Sequence, residues 1–401
     1  MDEHVSLTSS HGLDDNILLG YHGPTPPVGQ LPPRGERFWV DRPEQLLRAV
    51  SLLKQARVVA VDAEFAQVRL RAQKEVVSTI PRLALLQLAI DRYCCVVDAL
   101  RLRDLSPLME VVGNPAIAIL LHGAGGDIRV MAERGLQVVH YYDLEATSRS
   151  IFGQHESSLA AMLQRAFAFH LDKSLQRTDW TRRPLAPAMI AYAARDAEVT
   201  LALYHWLDQH YHAILQLHKI NGVTASAARW IEPFLHGNAS VSAEMAVAEA
   251  KAHGLIHNRA QVVADCRAAL VTVRHPAHRS RLLRLIADLS LIQLENDILP
   301  LLHAATADER AASVRALGRL GIKSAEEAMR SLLHDPVQEV RKAAEAALRN
   351  LTDKESRAQR ATPVVAADGT RSWIVEKERQ TQQPVDEALS WKSRLRSIID
   401  S

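Results

Sequence analysis

Asp62 and Glu64 close the apolar, β-branched run Val58-Val59-Ala60-Val61. Residues two apart on a strand point to one face, so the two carboxylates start roughly 6 to 7 Å apart at the backbone and project the same way. Two acids placed so repel each other unless a cation lies between them. A further acid, Asp127, follows the apolar run Ile117 to Leu121 through His122-Gly-Ala-Gly-Gly and opens a helical pattern. In Tyr192-Ala-Ala-Arg-Asp196 four residues separate phenol and carboxylate, which on a helix puts them one turn apart on one face. Each element has an ordinary alternative: a strand end, an acid favoured by a helix dipole, a solvated Asp beside a partly buried Tyr. All-oxygen donors suit Mg²⁺ or Mn²⁺, and the lack of a Cys or His cluster argues against zinc.

These residues need a scaffold. After Phe38-Trp39-Val40, Asp41 with Glu44 three residues on reads as a capping box opening a helix to about Gln55. Strand-like runs follow at Val58 to Val61, Leu83 to Ile90, Cys94 to Val97 and Ala116 to Leu121, then helical patterns near 127 to 134 and 144 to 151 and a long helix from Pro187 to about His210. This alternation predicts an α/β domain with a mixed sheet over 36–210. Residues 1–35 are Pro-rich and read as a flexible leader.

Beyond 210 the pattern turns all-helical. A connector over 211–270 precedes a repeat region at 271–352, where Arg310-Ala-Ala-Ser-Val-Arg-Ala-Leu317 aligns with Arg341-Lys-Ala-Ala-Glu-Ala-Ala-Leu348 at an offset of 31. Helical units of this kind bury their apolar faces only against neighbours, which predicts a short α-solenoid. The charged tail, 353–401, carries a hairpin signal at Asp368-Gly369 and a potential last helix at 385 to 399.

At 401 residues with 47% hydrophobic content the chain is long enough for two compact domains. A formal charge of +2 excludes a whole-molecule polyanion binder, so any nucleic-acid site must be a local patch. Three cysteines, none at a ligand spacing, favour a reducing compartment. With no secretory signal and no apolar run of about 18 to 20 residues, the expectation is a cytoplasmic protein without membrane contact.

In their order, the three acidic elements resemble the tyrosine-bearing branch of the DEDD 3′→5′ exonucleases, specifically ribonuclease D: Asp62-Ala63-Glu64-Phe65, then Asp127, then Tyr192 with Asp196. Gln176, Asp179-Trp180 and Arg183-Pro184-Leu185 look like the stretch before that third motif, and the likeness covers about 37 to 210. It implies a ribonuclease H-like α/β fold and two-metal-ion hydrolysis, with two divalent ions, Mg²⁺ or Mn²⁺, clamping attacking and leaving oxygens. Asp62 would bridge both ions, Glu64 and Asp196 complete one site, Asp127 help hold the other, and Tyr192 orient the attacking water.

The resemblance also implies RNA processing, tRNA maturation included, at single-stranded 3′ ends. A DNA exonuclease is the alternative, since no motif reads the 2′-hydroxyl, and a noncatalytic scaffold is the third. Phe65 would stack on the terminal base, unless it is a core Phe. Arg182 and Arg183 would meet phosphates, and Arg69, Arg71 and Lys74 would form either a basic loop that guides a strand or, more commonly for such a segment, a solvated surface loop. His122 reads as a hydrogen-bonded core residue, and Asp143, Asp172 and Asp179 as caps or structural groups. Ribonuclease D usually carries a different helical domain after the nuclease; the repeats here resemble HEAT repeats instead, and their mixed charge favours a protein contact or a packing role over an RNA groove.

Overall fold

The computed structural model describes residues 26–72, 75–176, 178–220, 227–235, 243–360, 364–365 and 371–372, without the side chains of 67–80, 244 and 353 onward. The chain divides into two compact units, one spanning Pro24–Thr224 and the other containing Ala225–Ser401.

The first unit is built on a seven-stranded sheet in the order β1-β4-β3-β2-β5-β6-β7. Its strands are β1 (Glu36–Val40), β2 (Val58–Ala72), β3 (Glu75–Ile90), β4 (Tyr93–Asp98), β5 (Ala118–Leu121), β6 (Tyr141–Asp143) and β7 (Lys219–Ile220). β1/β4, β2/β5 and β5/β6 pair parallel, while β2/β3, β3/β4 and β6/β7 pair antiparallel, giving the expected mixed sheet. The helices are α1 (Pro43–Leu53), α2 (Met109–Val112), α3 (Gly125–Ala132), α4 (Leu144–Phe152), α5 (Leu159–Phe167) and α6 (Pro187–Leu217).

The period of two along β2 separates structure from site. Val59, Val61 and Ala63 join one core with Leu46 and Leu53 of α1, Leu86 and Leu88 of β3, and Val97 of β4. The intervening Ala60, Asp62 and Glu64 therefore take the other face, opposite Ala89, Gln87 and Leu85 of β3. α6 packs on β2, β3 and β4, and Cys94 Sγ donates to Ala194 O at 3.6 Å. Ala60, Ala89, Ala193, Ala194 and Ala197 are all fully buried. Such small side chains let a helix approach a sheet closely.

Three local expectations change. Gln45, rather than Glu44, closes the start of α1: its Oε1 accepts from Asp41 N and Arg42 N, both at 3.0 Å, and Asp41 pairs instead with Arg101 at 2.6 Å. The basic loop between Glu64 and Leu83 is strand: β2 runs to Ala72 and pairs with β3 down to Ala72↔Glu75, with register shifts at Glu64/Phe65 and Leu70/Arg71. Val68, Leu70 and Ala72 alternate with Gln67, Arg69 and Arg71, a strand period that the charges mask; Lys74 lies outside the described residues. α6 also continues past His210 to Leu217, interrupted only by non-helical angles at Tyr211.

The second unit contains α7 (Glu232–Leu235), α8 (Ala243–Ala252), α9 (Arg259–Thr272), α10 (Pro276–Asp288), α11 (Glu295–Ile298), α12 (Ala307–Leu320), α13 (Glu326–Ser331) and α14 (Gln338–Arg360). α10 packs on α12 and α12 on α14, so the 31-residue period has a copy upstream of the two legible in sequence. Arg279, Arg310 and Arg341 occupy one position of that period. Each ties down carbonyls ahead of its own helix: Leu270 O at 2.8 Å, Ala304 O and Ala305 O at 3.0 and 3.1 Å, and Asp335 O with Pro336 O at 2.9 Å for the latter. Val364–Val365 and Arg371–Ser372 pair antiparallel on either side of Asp368-Gly369, which lies outside the described residues together with 385–399. Among the described residues no helix is long and apolar enough to cross a membrane.

Candidate active site

Asp62 and Glu64 leave β2 on the face that α6 covers, and Asp196 descends from α6 to meet them. One carboxylate oxygen from each of the three lies within 4.8 Å of the others. Asp127 enters from the first turn of α3, is 9% exposed, and interacts electrostatically with both Asp62 and Glu64. The four acids named from sequence thus come together from a strand and two helices that are distant in the chain.

The approach to Asp127 depends on Asp143, at the end of β6. Its carboxylate accepts from Gly123 N and Ala124 N at 3.0 and 3.2 Å, and from Glu145 N and Ala146 N at 3.1 and 3.3 Å. Asp143 is therefore the cap of α4, as expected, and also the anchor of the turn leading into α3. Gly123 holds φ +79° in that turn, a region where a side chain is strained. His122 is likewise spent on structure, with Nε2 at 3.0 Å from Ser157 O and its imidazole held neutral by burial.

Burial pushes all four carboxyls above the ordinary range, and neighbouring acids push Glu64, Asp127 and Asp196 further. Glu64 is pushed up to about 9 by burial and then by Asp62, Asp196 and Asp127. Asp196 rises to about 7 through burial and Asp62, opposed by its hydrogen bond with Tyr192 and by Lys173 and Arg195. Burial raises Asp62 and Asp127 as well, with Asp62 and Asp143 adding to the latter. Asp196 Oδ1 is buried with no hydrogen-bond partner. Clustered acids with an unfilled oxygen acceptor, and no Cys or His within the ligand group found among the described residues, fit hard divalent cations.

Tyr192 lies one turn before Asp196, half-buried, its ring stacked on the fully buried Trp180 with centroids 6.0 Å apart at 30°. Burial, and then Asp196, Glu64 and Asp62, push its phenol well above the usual tyrosine range, so it stays protonated. Phe65 is part-buried against the sheet core, and its ring stands 3.6 Å from where a Cβ on Gly126 would be. A methyl group there would make no more than an ordinary van der Waals contact with the ring.

The two arginines assigned to phosphates part company. Arg182 is exposed. Arg183 is not available: Nε and Nη2 bond the two carboxylate oxygens of Asp98 at 2.7 Å, Nη2 also bonds Ala84 O at 3.2 Å, and Nη1 bonds Trp180 O and Arg182 O at 2.8 Å. All five N–H donors are used. It is a strut that holds the segment before α6 against the sheet. The sequence offered no signal for Asp98, which is fully buried at the end of β4.

Residues 38–211 match the family described as 3′-5′ exonuclease. Ribonuclease D of Haemophilus influenzae is 30% identical over 165 residues, 41% of this chain and 39% of the relative. Protein RRP6-like 3 of Arabidopsis thaliana is 32% identical over 165 residues, 41% of this chain and 18% of the relative. The chain thus matches well under half the length of these relatives. The solved structure of Escherichia coli RNase D aligns with 82% of this chain and 78% of its own at 19% identity, with a TM-score of 0.39. Residues 38–211 are thus similar to 3′-5′ exonuclease domains, with ribonuclease D among the relatives they match.

Proposed function

We propose that the chain removes nucleotides one at a time from single-stranded RNA 3′ ends, with Asp62, Glu64, Asp127, Asp196 and Tyr192 as its DEDDy active site. The observation that carries this reading is the convergence of Asp62, Glu64 and Asp196 within 4.8 Å, inside a segment that matches 3′-5′ exonucleases. The RNA assignment and a place in tRNA or other RNA maturation lean on the relatives named ribonuclease D.

The four carboxylates would hold two divalent ions, Mg²⁺ or Mn²⁺. Such ions supply a hydroxide nucleophile near neutral pH and stabilise charge on the phosphate and the leaving oxygen. Tyr192, protonated and hydrogen-bonded to Asp196, would orient the attacking water through its phenol oxygen rather than remove its proton. Phe65, beside Gly126, offers a ring on which the terminal base stacks, a contact worth about 1 to 3 kcal/mol. Arg182 remains for a phosphate. In the second unit, the 31-residue helical pairs serve as HEAT-like repeats and present their outer faces to a protein partner.

The test is parallel digestion of matched 5′-labelled RNA and DNA with Mg²⁺ or Mn²⁺, using wild type, Asp62→Asn and Asp196→Asn. The expected result is stepwise 3′ shortening of RNA that both substitutions abolish while the fold persists. Undiminished metal-stimulated activity in either variant removes the assignment, and faster loss of DNA moves the substrate to DNA.

A further inference from the structure

Beside Tyr192 and Asp196 a groove of about 540 Å³ opens along α6, lined also by Arg34, Arg37, Phe169 and Arg195. Its charges are arranged unequally. Glu198 takes Arg37 through both oxygens, at 2.7 and 2.8 Å, and stands 3.5 Å from Arg195 Nη1. One acid therefore offsets two arginines, and Arg34 and Arg37 add like charge around Arg195. Arg195 lies over the ring of Phe169 at 4.9 Å, which fixes its plane, and its Nε is buried without a hydrogen-bond partner. Arg34 is exposed, with no hydrogen bond or ion pair among the described residues. Asp172, also in the lining, is occupied by Ser174 N and Oγ at 2.8 and 3.0 Å.

Three guanidiniums share the groove with Asp172 and Asp196, but Asp196 belongs to the acidic cluster and Asp172 is turned to Ser174, while Arg195 keeps an unspent donor on a planar fork, the geometry that matches a phosphate. Phe65 adjoins Asp127 from the α3 side, whereas this groove adjoins Asp196 from the α6 side, so the two flank the carboxylates on different elements. We propose that the Arg34, Arg37 and Arg195 groove binds phosphodiesters of the strand on the 5′ side of the scissile bond. The groove feeds the chain toward the carboxylates, while Phe65 receives the terminal base. This rests on the exonuclease reading for its substrate but not for its measurement, since binding is read without turnover.

The experiment is fluorescence anisotropy of the full chain in excess chelator, with a single-stranded RNA of about twelve nucleotides, a dinucleotide and a nucleoside 5′-monophosphate. The outward Arg34 is replaced by Ala and by Lys, and exposed Arg315 of the second unit by Ala as a charge-matched control. Arg34→Ala is expected to weaken the long strand about fivefold and to lower its salt slope by about 0.7, the value for one single-strand phosphate contact. The dinucleotide and the monophosphate should be unaffected, Arg34→Lys should recover most of the affinity, and Arg315→Ala should change nothing. Equal weakening of the monophosphate makes the groove a product site and overturns the proposal. An unchanged salt slope, or an equal loss in Arg315→Ala, overturns it too. If Asp62→Asn keeps full nuclease activity, the active-site assignment fails while this binding result stands.

Discussion

Arg183 grips Asp98 through both carboxylate oxygens at 2.7 Å, joining the segment that precedes α6 to the end of β4. The pair is lopsided in exposure, with the Asp98 side chain at 0% and that of Arg183 at 22%. Removing the arginine leaves a buried carboxylate without its counter-charge, held only by the N–H groups of Leu100 and Arg101. Breaking a pair of this sort costs about 3 to 5 kcal/mol, far more than an exposed ion pair contributes. Arg183→Ala should show that loss in urea denaturation of the first unit, and Arg183→Lys should not rescue it, because an ammonium lacks the fork. RNA affinity of the folded variant in chelator should stay at the wild-type level. A fully stable Arg183→Ala with weakened RNA binding would return this residue to a phosphate role.

The acidic cluster sets a pH dependence with a definite sign. Glu64 and Asp196 titrate near 9 and 7 in the folded chain, above the ordinary carboxylate range near 4. Between about pH 4 and 9 the folded state thus binds more protons than the unfolded one, and metal-free stability falls as pH rises through that window. Glu64→Gln removes the largest of these penalties, so in chelator its melting temperature should exceed that of wild type at pH 8 to 9 and match it near pH 4. Adding Mn²⁺ should raise the wild-type melting temperature more at pH 8 than at pH 5. Parallel wild-type and Glu64→Gln profiles across the range would refute this account.

Gly318 marks the closest packing in the helical unit. A Cβ there would lie 2.6 Å from Ala347 Cβ and 2.9 Å from its Cα. Replacing an interior helical glycine by alanine ordinarily gains about 1 kcal/mol. Overpacking costs about 1 to 3 kcal/mol, and here the obstacle is backbone, which cannot swing aside, so the penalty outweighs the gain. Gly318→Ala should lower the unfolding midpoint of the second unit and leave that of the first unit in place. A more stable variant would mean that α12 and α14 are free to separate.

Much of the site was legible because its chemistry demands particular residue types at local spacings. Two acids at a strand's period, one at a helix start and a Tyr-Asp pair one turn apart can be read without coordinates. The α/β order and the change to helices after the long helix follow equally from local periodicity. What was misread came from signals that local pattern does not carry. The charged stretch after Glu64 looked like a loop although its alternation is that of a strand. The upstream copy of the repeat escaped notice because little beyond an arginine and a few aliphatic positions persists at Arg279, Ile286 and Leu289.

The sequence by itself determined which groups could bind a cation and which faces of β2 and α6 would carry them, since both depend on residue type and on periods of two and 3.6. Only the tertiary structure decided which charges are already spent. Arg183 and Arg195 look alike in sequence, yet one has all five donors engaged and the other keeps a buried Nε without a partner. Asp143 and Asp127 likewise look alike, yet one is consumed by four backbone N–H groups and the other faces its fellow acids. Hydrogen bonds and charge interactions reach a few ångströms in space, and partners that close are brought together by the fold rather than by proximity along the chain.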